Sequence, residues 1–136
     1  MTTKQPYFTV IIVAFNSGDY LDECINALEK QIFKDFEIII FDNGTKNGSS
    51  HSISSSSLNI SVIKSTSNKG FAVGNNAAAK VAKGDWLVLL NSDAIPEKDW
   101  LLEIFEAVCR YPDIVIFGST QINYCLLYTS PSPRDS

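Results

Sequence analysis

Four short polar clusters hold the side chains best suited to chemistry in this 136-residue sequence, and each follows an apolar run. A carboxylate in such a cluster can accept an N–H or hydroxyl hydrogen, or can bind a hard divalent cation. Glycines at a helix start let backbone N–H groups approach a phosphate. The clusters therefore predict a site for a phosphorylated ligand, although a turn remains the alternative for each one. They are Phe15-Asn16-Ser17, Asp42-Asn43-Gly44, the stretch 68–76 and Asn91-Ser92-Asp93.

The histidine and cysteine content excludes several other kinds of site. His51 is the single histidine, which rules out a metal cluster built from histidines. The three cysteines are odd in number and widely spaced, so they predict neither a disulfide framework nor a zinc site. Cys24 shares a helical face with apolar residues, and we interpret it as a small core residue. This cysteine usage is typical of a reducing cytoplasm.

Composition and charge favour one soluble globular domain. The chain is 45% hydrophobic and 19% charged, with a net charge of −4 and no run of Lys or Arg. The charge gives no support for a nucleic-acid partner. No apolar run approaches the roughly 18 residues that span a bilayer, so no transmembrane segment is expected. We expect a cytoplasmic protein, with the inner face of the membrane as the alternative location.

Alternating strands and helices predict an α/β fold with a mainly parallel sheet and helices on its faces. Helical spacing predicts helices over 19–28, 72–83 and 97–110, and the polar stretch 45–57 is expected to be a loop with a short helix. The second and fourth strands, like the first, are expected to be buried on both faces. Apolar runs predict strands at Phe8–Phe15, Phe36–Phe41, Leu58–Lys64, Trp86–Leu90 and Asp113–Phe117.

The last twelve residues differ from the rest. Residues 125–136 lose all periodicity and end in Ser and Pro, which predicts a disordered or read-through tail rather than part of the domain. We therefore expect a domain over 1–124 that is incomplete at its C-terminus.

The parallel sheet predicts where the polar clusters meet. Ligands of open parallel sheets bind outside the carboxyl ends of the strands, and all four clusters follow strands at that edge. The dinucleotide fingerprint is absent after the first strand, which counts against an oxidoreductase. A phosphoacceptor receiver domain is also disfavoured, because Phe15-Asn16 supplies no acidic pair.

Five ordered blocks resemble the nucleotide-sugar half of family 2 glycosyltransferases, and most closely the rhamnosyltransferase-like branch. The resemblance covers about residues 7–120 and implies a Rossmann-like GT-A three-layer sandwich. It also implies an inverting transfer of a sugar from a UDP- or dTDP-sugar to a glycan, lipid-linked or protein acceptor. The blocks are 10–16, 36–45, 68–76, 84–86 and 89–94.

The resemblance also implies roles for single residues. Val13 and Phe15 would line the base pocket, with Asn16 beside them. Asp93 would bind Mg²⁺ or Mn²⁺ at the family's Asp-x-Asp position, where Asn91 replaces the first Asp. The remaining donor contacts would be Asp42 and Asn43 at the base and ribose, and Gly70, Asn75 and Asn76 at the diphosphate.

No catalytic base is assigned. An inverting transferase needs a carboxylate to deprotonate the acceptor hydroxyl, and in this family that residue lies well beyond the Asp-x-Asp position. Asp99 and Glu103 do not match it and are expected on a solvent-facing part of a helix. The alternative function is therefore a non-catalytic nucleotide-binding module or an inactive fragment.

Overall fold

The apolar runs form the strands of one parallel sheet in a computed structural model that describes residues 5–16, 18–44 and 58–115. Helices follow the first, third and fourth strands along the chain. The elements in chain order are β1 (Phe8–Ala14), α1 (Asp19–Glu29), β2 (Phe36–Asp42), β3 (Ile60–Lys64), α2 (Phe71–Val81), β4 (Trp86–Asn91) and α3 (Trp100–Arg110).

The four strands are ordered β3-β2-β1-β4, and every neighbouring pair is parallel. Phe8 at the start of β1 pairs with Phe36 of β2 on one side and with Trp86 of β4 on the other. All four strands therefore end at one edge. The α/β class with a parallel sheet is confirmed.

The sheet is the middle of three layers, and its two faces are covered unequally. One face packs against α1 and α3, which contribute Leu21, Leu28 and Leu101 to the larger apolar cluster. The other face packs against α2, where Ala78 meets Ile11 and Ile39. β1 and β2 lie centrally between these layers, which is why their residues are almost all buried.

The prediction that β4 is buried on both faces is wrong. Leu87 and Leu89 are 47% and 55% exposed, whereas Leu90 is 9% exposed. The helix α2 packs over β1 and β2 and leaves this face of β4 uncovered in the described residues. A continuous apolar run therefore does not show that an outer strand such as β4 is buried on both faces.

Several other boundaries differ from the predicted ones, including the end of β1 at Ala14 and the end of α2 at Val81. β3 begins at Ile60 rather than Leu58, and α3 begins at Trp100 rather than at residue 97. Residues 113–115, the start of the predicted fifth strand, are not in a strand. Residues 116–117, the predicted loop over 45–57 and the predicted tail over 125–136 lie outside the described residues.

A buried polar network holds the amino end of the sheet together. The Thr9 hydroxyl donates to the Glu37 carboxylate at 2.6 Å and accepts the Gly84 N–H at 2.8 Å. The Lys83 N–H also donates to Glu37, at 2.7 Å. This network joins the chain after α2 to β1 and β2, so it fixes α2 at the end farthest from the polar clusters.

A second buried side chain fastens α3. Gln31 is fully buried, donates to the Glu97 carbonyl and accepts the Leu101 N–H at 3.0 Å. The contacts tie the end of α1 to the start of α3, and so anchor the segment that leaves Asp93. Among the described residues, no helix has both the length and the apolar character that crossing a bilayer requires.

Candidate functional site

An open cleft of about 470 Å³ lies at the carboxyl edge of the sheet, between the ends of β1 and β4. Five of the ten predicted donor-site residues line it, and they come from the ends of these two strands and from the loops that follow them. Its lining is Val13, Phe15, Asn16, Tyr20, Phe71, Asn91, Ser92 and Asp93.

Tyr20 and Phe71 line the cleft but were not predicted as site residues. Tyr20 belongs to the first turn of α1 and is 63% exposed, and Phe71 is the first residue of α2 and is 55% exposed. Because α1 and α2 cover opposite faces of the sheet, the two rings approach the cleft from opposite sides. The sequence does contain a signal for these two residues, since each is an aromatic residue in the first turn of a helix that follows a polar cluster.

The β1 end of the cleft turns sharply. Asn16 has a φ of 51°, a left-handed conformation that asparagine tolerates better than most residues. Phe15 beside it is 46% exposed, so its ring is available to a ligand.

Asp42 is the last residue of β2 and Asn43 follows it; both lie beside the cleft rather than in its lining. Both are buried, at 6% and 3% exposed. The Asp42 carbonyl accepts the Ser65 N–H at 2.9 Å, and the Asn43 N–H donates to the Ala14 carbonyl at 2.7 Å. The side-chain amide of Asn43 is bonded to the loop that leads into α2.

That loop opens α2 beside the cleft. Gly70 has a φ of 92° and its N–H donates to the Asn68 Oδ1 at 2.9 Å. The first turn of α2 contains no acidic residue, and its start has no side-chain hydrogen-bond cap among the described residues. Asn75 and Asn76 follow in the next turn. Asn76 is exposed, whereas the Asn75 Oδ1 is buried without a hydrogen-bond partner in the described part of the chain.

The β4 end of the cleft is a tight turn above a buried thiol. The Asn91 carbonyl accepts the Ala94 N–H at 3.1 Å, and the Cys24 thiol donates to the same oxygen at 3.7 Å. Burial, and secondarily the Asp93 carboxylate, raises the pKa of Cys24 to about 12. The thiol therefore stays protonated, which agrees with the prediction that Cys24 is a core residue.

The oxygen donors at this end fit a hard cation only in part. Asp93 is exposed and supplies a carboxylate, and Asn91 at the same strand end supplies an amide oxygen. Within 5–16, 18–44 and 58–115, no group of three or more His, Cys, Asp or Glu side chains could hold a metal ion. The Asp93 carboxylate and the Asn91 amide oxygen fit Mg²⁺ or Mn²⁺ if phosphate oxygens and water complete the coordination.

The profile of glycosyl transferase family 2 matches residues 9–134, which is most of the sequence. The chain belongs to glycosyl transferase family 2. The resemblance of the five blocks to this family is therefore confirmed.

The chain is similar to a curated glycosyltransferase and to a solved structure. Glycosyltransferase GlyG of Streptococcus pneumoniae is 25% identical over 114 residues, covering 82% of this chain and 38% of GlyG. S. aureus TarS 1-349, solved with UDP-GlcNAc, is 26% identical with a TM-score of 0.73, covering 77% of this chain and 32% of TarS 1-349.

A third similarity concerns the fold alone. The mannosyltransferase PcManGT from Pyrobaculum calidifontis, in complex with GDP-Man and Mn²⁺, is 22% identical with a TM-score of 0.70. The match covers 78% of this chain and 33% of PcManGT. The chain therefore spans about a third of the length of each of these three proteins.

Proposed function

We propose that this family 2 chain binds a UDP- or dTDP-sugar and belongs to an inverting transferase that acts on a glycan, lipid-linked or protein acceptor. The observation that carries the proposal is the cleft itself. It combines Phe15, Tyr20 and Phe71 with the Asp93 carboxylate at the carboxyl edge of the sheet. Aromatic faces suit a nucleobase or a sugar ring, and the carboxylate suits a metal-bound diphosphate. The UDP-GlcNAc complex of TarS, which shares this fold, supports the same ligand class.

Each part of the donor then has candidate partners. Val13, Phe15 and Asn16 would contact the base, and the Asp42 carboxylate would accept a hydrogen bond from the base or ribose. Gly70, Asn75 and Asn76 would border the diphosphate, where backbone N–H and amide N–H groups donate to phosphate oxygens.

Asp93, with Asn91 beside it, would hold Mg²⁺ or Mn²⁺. The cation would offset the negative charge that develops on the departing nucleoside diphosphate. Asn91 in place of a second carboxylate leaves one fewer negative charge, which predicts a weakly held metal that binds together with the nucleotide rather than before it.

A second candidate is a non-catalytic nucleotide-binding module, favoured by the carboxylate content of the cleft. Asp93 is the one carboxylate in its lining, within the described residues. Glu103 is an exposed residue of α3, and Asp99 directly precedes that helix; neither lines the cleft. In either case the cleft binds the donor, and a transferase would need a base from outside the described lining of the cleft.

Titration calorimetry with UDP and Mn²⁺ tests the proposal. Asp93→Ala and Asp42→Ala are each expected to weaken UDP binding by about tenfold or more, because each removes a charged partner of the ligand. Asp85→Ala is the matched control, since Asp85 is exposed at the opposite edge of the sheet and should leave the affinity unchanged. UDP binding that is indifferent to both site substitutions would contradict the proposal. Sugar transfer or hydrolysis of a UDP-sugar by the purified chain would instead overturn the non-catalytic alternative.

A further inference from the structure

Asn43 connects three segments of the chain beside the cleft. Its Oδ1 accepts the Lys69 N–H at 2.7 Å, and its Nδ2 donates to the Gly70 carbonyl at 3.2 Å. Its own N–H donates to the Ala14 carbonyl at the end of β1. One side chain at the end of β2 is therefore bonded to the loop before α2, while its backbone is bonded to β1.

The chemistry of these bonds requires an amide. Turning the Asn43 amide over would set Nδ2 against the Lys69 N–H and Oδ1 against the Gly70 carbonyl, so both bonds would be lost. A carboxylate could accept from Lys69 but has no hydrogen for Gly70. With 3% of Asn43 exposed and both its amide groups bonded to the loop, little of it is left for a ligand.

The other hydrogen bonds of the loop that Asn43 holds are local, such as the Gly70 N–H to the Asn68 Oδ1 and the Ser65 hydroxyl to the Ser67 carbonyl. Gly70 adopts a φ of 92°, and a Cβ built there would meet no atom within 4 Å, so neighbouring side chains do not constrain it. The loop on the β2 side does approach closely: a Cβ on Gly44 would lie 3.0 Å from the Ser67 carbonyl carbon. The Asn43 amide can therefore fasten the two loops where they pass.

We propose that Asn43 is a positioning residue of the donor site, which fixes the Asn68–Gly70 loop at the cleft instead of contacting the nucleotide. This inference rests on the proposed function and changes the role that the family resemblance implies for Asn43. Phe71, which follows the loop directly, lines the cleft, so a displaced loop would also displace one wall of the site.

Comparing two ligands separates positioning from direct contact. The proposed function puts Gly70 at the diphosphate, a group that UDP has and uridine lacks. Asn43→Ala is therefore expected to weaken UDP binding by about tenfold while changing uridine binding by less than about threefold. A residue that contacts the base or ribose would weaken both by a similar factor. Titration with UDP and Mn²⁺, and chemical-shift titration with uridine, supply the two affinities. Asn26→Ala makes the same substitution on the exposed side of α1 and should change neither affinity.

Two further measurements test the tether. In the ligand-free chain, Asn43→Ala should accelerate amide hydrogen exchange at Lys69 by about tenfold or more and leave exchange at Ile40 in β2 unchanged. Gly70→Ala alters the same loop through its backbone, so it should weaken UDP binding similarly. Because the two substitutions act through one loop, their combined effect should be less than the product of the single effects.

The outcomes are distinguishable. Equal losses of uridine and UDP binding in Asn43→Ala, or unchanged Lys69 exchange, would overturn the positioning role while leaving the proposed function intact. Failure of the unaltered chain to bind UDP would overturn the proposed function, and this inference with it. Selective loss of UDP binding together with faster Lys69 exchange supports the inference.

Discussion

Gly74 in α2 offers a test of how the cleft wall is built. A Cβ at this position would lie 2.9 Å from the Phe41 Cδ1 and 3.0 Å from both methyl carbons of Val13, whereas ordinary contact begins at 3.4 Å. Phe41 is 4% exposed and has little room to move, so Gly74→Ala should push α2 away from the sheet by about half an ångström.

The expected cost follows from two opposing effects. Overpacking of this kind costs about 1–3 kcal/mol, and replacing a helical glycine with alanine returns about 0.8–1 kcal/mol. We therefore expect Gly74→Ala to lower the free energy of unfolding by about 1 kcal/mol and the melting temperature by roughly 2–8 °C. Since Val13 and Phe71 both line the cleft, UDP affinity should also fall by about fivefold, the factor that roughly 1 kcal/mol represents.

Thermal unfolding and UDP titration of Gly74→Ala measure both effects. The same substitution in a Val13→Ala background is the control, because two of the three close atoms are then absent. There the loss of stability should shrink or reverse. If Gly74→Ala raised the melting temperature of the otherwise unaltered chain and left UDP affinity unchanged, the packing argument would be refuted.

Two further predictions concern buried groups that are not proposed ligand contacts. Thr9→Val removes both hydrogen bonds of the Thr9 hydroxyl and strands the Gly84 N–H, so urea denaturation should show a loss of about 1–3 kcal/mol. UDP affinity should not change, because this network lies at the opposite edge of the sheet; a matching loss of affinity would contradict that separation. In a Cys109→Ser/Cys125→Ser background, the Cys24 thiol should resist a thiol reagent at pH 8 until urea is added, because its pKa is raised from 9.0 to about 12. As the pH rises above 9, the unfolded thiol ionises first, so the free energy of unfolding should fall more steeply than in a Cys24→Ala variant, and equal slopes would argue against the raised pKa.

Four strands, and the meeting of polar residues at one edge of the sheet, could be predicted from the sequence, because both follow from local pattern. Continuous apolar runs placed β1 and β2 in the core, and the polar residues after β1 and β4 met at one edge, as parallel pairing requires. The exposure of Leu87 and Leu89 could not be predicted in the same way. It depends on which strands α2 covers, and the sequence of β4 alone does not contain that information.

The arrangement around Asn43 shows a second limit. Its type and position after a strand were equally compatible with a turn and with a ligand contact. A positioning role for Asn43 depends on its hydrogen bonds to Lys69 and Gly70, which are 26 and 27 residues away in the chain. Tyr20 is a similar case: it lies in the first turn of α1 and lines the cleft together with Asn91 and Asp93, which are far from it in the chain.

The central claim is that Asp93 binds a donor nucleotide through a divalent cation, and the dependence of UDP affinity on metal tests it most directly. UDP is titrated into the unaltered chain and into Asp93→Ala, each with Mn²⁺ and with EDTA. We expect EDTA to weaken UDP binding to the unaltered chain by about tenfold or more and to have little effect on Asp93→Ala, because the cation acts through that carboxylate. An equal effect of EDTA on both proteins, or no effect on either, would contradict the assignment of Asp93 as the metal and diphosphate ligand.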